Sequence, residues 1–282
     1  MAKSTSKWLS SNRTAKIKHR ALAHGSPKHG KTFAALQASK KFPKKLPAAK
    51  WTKLDDLLHI PFDDGALDGA MELKLEVPSI DFYGILEETN DLIEALNVLV
   101  DVCYEAAEKN PNLVVIVDTV TKLDKLLNLF WNSEENAPRG KGDKIDGFAV
   151  YRCINESHMR FHDDMAGLPC HVIFLAHSKP VGESTSVKAK VKAGALPNEG
   201  VSADTVMDFI YYASGNLYRQ DTSIICTIQA ESDRTNPKLL QRWAYTRGHQ
   251  GFEGGCRFQY SLDPQEPADF GHMFAKIDAQ LK

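Results

Sequence analysis

The sequence predicts an α/β fold: a mostly parallel central sheet flanked by helices, with antiparallel strands at its C-terminal edge. Three observations predict it. Residues 113–117 and 170–176 are apolar runs without alternation, the pattern of strands buried on both faces of a parallel sheet. Strand and helix patterns alternate along the chain, which implies βαβ units. Between the first strand pattern and the first helix pattern lies a glycine-containing loop with the spacing of a phosphate cradle.

Residues 1–15 are rich in Ser and Lys and read as a basic, flexible arm. Residues 20–24 read as a short strand, and 31–40 as a helix carried by Ala34, Ala35, Leu36 and Ala38. A second strand is expected over 54–61. Residues 72–80 alternate polar and apolar side chains (Leu73, Leu75, Val77), as a half-exposed strand does. Residues 83–109 place Ile85, Leu92, Leu96, Leu99 and Cys103 at helical spacing. After the strand at 113–117 come a helix over 120–131, a polar loop over 132–147, a helix over 148–166 and the strand at 170–176. Residues 180–200 lack apolar periodicity and read as a long loop of the functional kind. A helix over 202–212 and two antiparallel edge strands, 224–230 and 241–246, complete a core domain spanning 16–260. Residues 261–282 read as a C-terminal helical tail.

The 282 residues are 43% hydrophobic and 25% charged, the balance of a soluble globular protein. No apolar run approaches the ~20 residues that a membrane span needs, so no membrane partner is expected. The polar N-terminus has no secretory leader pattern. Cys103, Cys153, Cys170, Cys226 and Cys256 form no CxxC pair, which fits reduced thiols in a cytoplasmic protein and argues against disulfides or zinc. The net charge of −1 conceals an asymmetry: residues 1–54 hold fourteen Lys and Arg and no acid, leaving 21 basic against 36 acidic residues elsewhere. Such a block fits a polyanion partner such as nucleic acid, or equally a solvated basic face with phosphate-site lysines.

The sharpest motif is Gly25-Ser26-Pro27-Lys28-His29-Gly30-Lys31-Thr32, followed by Phe33, which matches GxxxxGK[ST] in full. The glycines let the backbone wrap a phosphate at positive φ. Backbone N–H groups and the start of the next helix then aim positive charge at the anion. In this reading ATP is the ligand, Lys31 reaches its β- and γ-phosphates, and the Thr32 hydroxyl ligates Mg²⁺. Asp118 ends the apolar run 113–117, at the strand tip where open α/β sheets bind ligands, and is a second Mg²⁺ holder. A carboxylate base is expected at another strand tip. Asp63 and Asp64 end the second strand, Asp63 lying closer to it, with a plain Asp-Asp-Gly turn as the competing reading. His177, at the tip of the strand 170–176, is placed to sense the γ-phosphate. Arg247 and Arg257 are candidate arginine fingers for a neighbouring subunit's ATP, or ordinary surface residues.

Together these segments resemble the RecA-like ATPases, and among them the phage nucleotide-binding AAA-type proteins related to phage single-strand-annealing recombinases. The resemblance rests on the loop Gly25–Thr32, on Val115-Ile116-Val117-Asp118-Thr119, and on Ile173-Phe174-Leu175-Ala176-His177. It extends to Arg242-Trp243-Ala244-Tyr245-Thr246-Arg247 and Gly255-Cys256-Arg257. It implies a RecA-type core over 16–260 and a homo-oligomer, ring or filament, with ATP between subunits. It also implies DNA-contacting loops at 132–147, with Arg139, Lys141 and Lys144, and at 180–200, with Lys188, Lys190 and Lys192. Asp63-Asp64 stands where that family carries a glutamate. The expectation is therefore a DNA-dependent ATPase acting on single-stranded DNA in phage-type recombination, annealing or replication. The alternatives are a P-loop switch that binds protein partners, a small-molecule kinase, and a helicase or packaging motor.

Overall fold

The structure is a computed structural model that describes residues 18–38, 57–63, 77–180, 205–207, 212–220, 222–232, 240–247, 254–258 and 261–281. Its elements, in chain order, are β1 (Arg20–Gly25), α1 (Lys31–Leu36), β2 (Leu57–Pro61), α2 (Phe82–Thr89), α3 (Leu92–Lys109), β3 (Val114–Asp118), α4 (Val120–Trp131), α5 (Gly147–Gly167) and β4 (His171–Pro180). There follow β5 (Thr205–Met207), α6 (Tyr212–Gln220), β6 (Ile224–Ser232), β7 (Leu240–Tyr245), β8 (Gly255–Cys256), β9 (Gln265–Pro267) and α7 (Phe270–Gln280).

The sheet runs β2-β3-β4-β1-β6-β7-β9. The first four pairings are parallel, and β6–β7 and β7–β9 are antiparallel, as the α/β reading expects. The two-residue alternation of each strand sends its side chains to opposite faces. Leu22, Val115, Val117, Val172 and Phe174 pack with α2, α3, α4 and α5 on one face. Ala21, Ala23, Val114, Ile116, Ile173 and Leu175 pack with α1 and α7 on the other. Burial on both faces explains why residues 114–117 of β3 and 172–176 of β4 read as unbroken apolar runs.

Three expectations are corrected. Residues 83–109 do not form one helix. Asn90 takes the left-handed conformation at φ 54° and ends α2, and the Asp91 carboxylate caps α3 by accepting from Glu94 N. Within 202–212, the described residues 205–207 are a strand instead of a helix. They pair antiparallel with Ser178, Lys179 and Pro180, so β4 runs on past its apolar part. The hydrogen bonds of an available strand edge outweigh local helical spacing there. Tyr212, the last residue of that range, is the first described residue of α6. The stretch 261–282 is helical over α7, but it also contributes β9 to the sheet, and Phe270, Met273, Phe274 and Ile277 are core residues. The arm 1–15 and residues 72–76 lie outside the described residues.

Candidate active site

Strand register aligns the site. Gly25 at the end of β1 stands beside His177 of β4. Asp118 at the end of β3 stands beside Leu175, two residues short of His177. Pro61 pairs with Asp118, and Phe62 N donates to Asp118 O at 2.7 Å, so Asp63 follows directly beyond β3's tip. Four adjacent strands thus bring Asp63 (just past β2), Asp118, His177 and Gly25 to one level, at the C-terminal edge of β3 and β1 where such sheets bind ligands. Strand β4 separates the glycine-loop strand from the Asp118 strand, so Asp118 meets the loop across one intervening strand.

The loop itself needs its two glycines. A Cβ on Gly25 would strike the Ile228 carbonyl of β6. Gly30 has φ 86°, and a Cβ there would strike the Arg242 side chain. Lys28 also takes positive φ, at 66°. Ser26, Pro27, Lys28 and His29 form the turn, and Lys31 and Thr32 open α1.

Lys31 is 5% exposed. Its ammonium donates to the carbonyls of Gly25 and Ser26, each at 3.0 Å. Burial lowers its pKa to about 8, against the opposing pull of the Asp118 and Asp63 charges. Thr32 Oγ1 donates to Asp118 Oδ2 at 2.6 Å. The His59 ring, fully buried on β2, places Nε2 3.3 Å from the same carboxylate oxygen. His177 is half-buried. Burial and then Lys31 lower its pKa, while Asp63 and Asp118 oppose them. The Thr121 hydroxyl accepts from His177 N at 2.8 Å and pins β4 to α4. Lys31, Thr32, Asp63, Asp118 and His177 are therefore brought together.

Other residues singled out in the sequence lie elsewhere. Asp64, Lys188, Lys190 and Lys192 fall outside the described residues. Arg257 is exposed, its backbone N donates to Ser223 O at 2.9 Å, and its guanidinium donates to Gln220 O. Ser223 in turn bonds Arg20 at the start of β1, so Arg257 sits at the opposite end of the sheet from the glycine loop. Arg247 is exposed beyond the far end of β7 and donates to Leu262 O at 3.2 Å. Residues 138–146 fold back on themselves, with Arg139 bridging to Ile145 and Gly140 N donating to Lys144 O at 2.9 Å. The Arg139 guanidinium donates to Asp143 O and Glu134 O at 3.1 and 2.9 Å, holding that turn, while Lys141 and Lys144 are exposed. The loop 132–147 carries four acids (Glu134, Glu135, Asp143, Asp146) against three basic residues, so its expected basic character is corrected to a mixed one.

Sequence reasoning missed two residues at the site. His59 lies mid-strand in β2 and resembles any buried strand histidine. Arg242 belongs to a closing strand noted only for its resemblance, yet its guanidinium carbon lies 4.4 Å from the centre of the Phe33 ring. The inward alternation of β7 is the one signal that marks Arg242 in the sequence.

Thr32 and Asp118 offer hard oxygen donors that suit Mg²⁺. That ion takes few protein ligands and completes its shell from phosphates and water. No cluster of three or more His, Cys, Asp or Glu side chains that could hold a metal occurs among the described residues.

A complete GxxxxGK[ST] loop at the tip of β1, with a buried carboxylate two strands away bonded to its threonine, defines an α/β P-loop ATPase. The chain belongs to the AAA domain family, whose profile matches residues 17–258. No curated protein matches it. Among solved structures it is similar to the KaiC-like protein PH0186 from the hyperthermophilic archaeon Pyrococcus horikoshii OT3, at 10% identity and TM-score 0.40 over 85% of this chain and 82% of that one. It is also similar to an ATPase from the type III secretion system of pathogenic bacteria, at 10% identity and TM-score 0.38 over 74% of this chain and 50% of that one. No helix among the described residues is long and apolar enough to cross a membrane.

Proposed function

We propose that this ATPase binds ATP·Mg²⁺ in the loop Gly25–Thr32, hydrolyses it, and couples the nucleotide state to binding of single-stranded DNA. The observation that carries the nucleotide part is the contact of Thr32 with Asp118 beside the buried Lys31. Thr32 and Asp118 would hold Mg²⁺, which would supply charge neutralisation to the phosphates. Lys31 swings from the Gly25 and Ser26 carbonyls to the phosphates, exchanging neutral acceptors for anionic ones. Asp63 orients and deprotonates the attacking water, with Asp64 as the alternative base. His177, in line with Gly25, reports the γ-phosphate to the segment that follows β4. A second subunit completes the site in trans with Arg247 or Arg257. Both lie away from this chain's own loop, as a residue given to a neighbour must.

The DNA part rests on the basic block 1–54, the lysines Lys141, Lys144, Lys188, Lys190 and Lys192, and the resemblance to phage recombination ATPases. ATP hydrolysis with and without single-stranded DNA, beside Lys31→Ala, tests both parts. Stimulation by DNA that disappears in the mutant supports them. Lys31-dependent hydrolysis indifferent to DNA, with no DNA binding at low salt, removes the DNA part.

One observation favours a second reading, a switch acting on protein partners. The loop 132–147 is acidic on balance, and Phe148 beside it is 79% exposed. DNA-indifferent hydrolysis would promote that reading.

A further inference from the structure

The glycine loop has two flanks. On the β4 side stand His177, Asp118 and Asp63, and toward them Thr32 and Lys31 direct their polar atoms. That flank takes the terminal phosphate and the metal. On the other side stand β6 and β7, where the loop is closed by a different group. Gly25 lies against the Ile228 carbonyl of β6. Arg242 pairs with Ala230, two residues further along β6, and this register carries it past the tip of β1 to the level of Gly30. Gly30 is the residue at which an added Cβ would collide with the Arg242 side chain.

The state of Arg242 is unusual for a half-buried arginine. Its Nε is buried and has no hydrogen-bond partner, and no carboxylate pairs with its guanidinium among the described residues. Its guanidinium lies on the face of Phe33, 4.4 Å from the ring centre, with Gly30 beside it. Stacking holds the guanidinium plane but satisfies none of its N–H donors. A cation with unfilled donors, fixed in orientation beside a phosphate-binding loop, is matched by an anion that accepts two parallel hydrogen bonds.

We propose that Arg242 is a nucleotide-binding residue acting in cis, which forks onto the phosphate nearest the ribose, and that Phe33 is the positioning residue that holds its plane. The ligand class is a nucleoside di- or triphosphate, since ADP and ATP share that phosphate. The inference rests on the reading of Gly25–Thr32 as the nucleotide site. It divides the work between two flanks: Asp118, Asp63 and His177 act on the terminal phosphate, and Arg242 anchors the nucleoside end.

The test is the affinity of Arg242→Gln for ADP and for ATP, with kcat at saturating ATP and the melting temperature without nucleotide. The expected result is a loss of about tenfold or more in affinity for both nucleotides, the range of a hydrogen bond to a charged group. The kcat and the nucleotide-free melting temperature stay near those of the unmodified protein, which a merely structural role would not allow. Arg242→Lys keeps the charge but not the planar stack, and recovers part of the affinity. Phe33→Leu keeps apolar volume and loses affinity to a smaller degree. If Arg242→Gln does not fold, these two variants carry the test, and unchanged affinity in both overturns the proposal. It is equally overturned by unmodified affinity in Arg242→Gln, by loss for ATP alone, or by a fall in kcat with affinity intact. Retained ATP binding in Lys31→Ala would instead overturn the site reading beneath it.

Discussion

Thr32 Oγ1 and Asp118 Oδ2 lie 2.6 Å apart, joining the glycine loop to a strand that is not its neighbour in the sheet. His59 shares the same carboxylate oxygen at 3.3 Å. The carboxylate is therefore fixed from two sides. Asp118→Asn keeps the size of the side chain and removes its charge. The Mg²⁺ concentration needed for half-maximal hydrolysis should rise by about 10- to 100-fold, the usual cost of losing a group that holds or orients a metal. Melting without nucleotide should be unchanged or higher, because a buried charge is relieved. A Mg²⁺ titration of activity decides it, and an unshifted midpoint would remove Asp118 from the metal site.

Lys31 has a pKa lowered to about 8 by burial in the free protein. Phosphate binding favours the ammonium form, so the bound-state pKa is higher. Affinity for ATP should then be flat below about pH 8 and fall by up to tenfold per pH unit above it. Binding titrations from pH 7 to pH 9.5 measure this. Lys31→Arg, charged throughout, should show no such break. A flat profile for the unmodified protein would refute the assignment.

Far from the site, His19, His171 and Phe274 form a cluster of three mutually stacked rings, with centroids 5.3 Å (His19 to His171), 4.7 Å (His19 to Phe274) and 5.6 Å (His171 to Phe274) apart. His171 Nδ1 accepts from His19 N at 3.0 Å, which requires an unprotonated nitrogen. Burial, with the neighbouring His19 charge next, lowers the His171 pKa to about 3. The folded pKa lies below the unfolded one, near 6.5. Its contribution is therefore complete above pH 6.5 and is lost as pH falls from there toward 3, at up to about 1.4 kcal/mol per pH unit. Urea unfolding at pH 7, 6, 5 and 4 should show this slope, and His171→Gln should flatten it. An identical slope in the variant would assign acid sensitivity to other groups.

Helices α4, α5 and α6 are joined by a buried chain. His158 Nε2 lies 3.2 Å from Asp124 Oδ1, and His158 Nδ1 lies 3.0 Å from the Tyr218 hydroxyl. Tyr218→Phe keeps the ring in place and deletes one hydrogen bond from a fully buried histidine. The expected loss is about 1–3 kcal/mol of unfolding free energy, with kcat near that of the unmodified protein. Denaturant midpoints together with ATP turnover check it. A loss below about 0.5 kcal/mol, the lower end for an ordinary hydrogen bond, would show that the chain is replaced by other partners.

Much of the site was legible in the sequence, because its chemistry is written in local patterns. Eight consecutive residues specify the phosphate loop, and Asp118 and His177 each end an apolar strand. These features need only spacing and strand position to be seen. Asp63 was legible as a strand-end acid, but its place beside Asp118 required the pairing of Pro61 with Asp118. The helix expected over 202–212 failed because a three-residue strand answers to β4's open edge, which no local window contains.

By itself the sequence determined the α/β class, the nucleotide loop, the carboxylate across from it and the two-sided burial of β3 and β4. Each follows from a residue's nearest neighbours along the chain and the period of its element. Only the tertiary structure decided that His59 backs Asp118, that Arg242 lies on Phe33 against Gly30, and that Arg257 lies at the opposite end of the sheet from the loop. These depend on strand order and register, which bring together segments far apart in the chain through long-range pairing that local spacing does not encode.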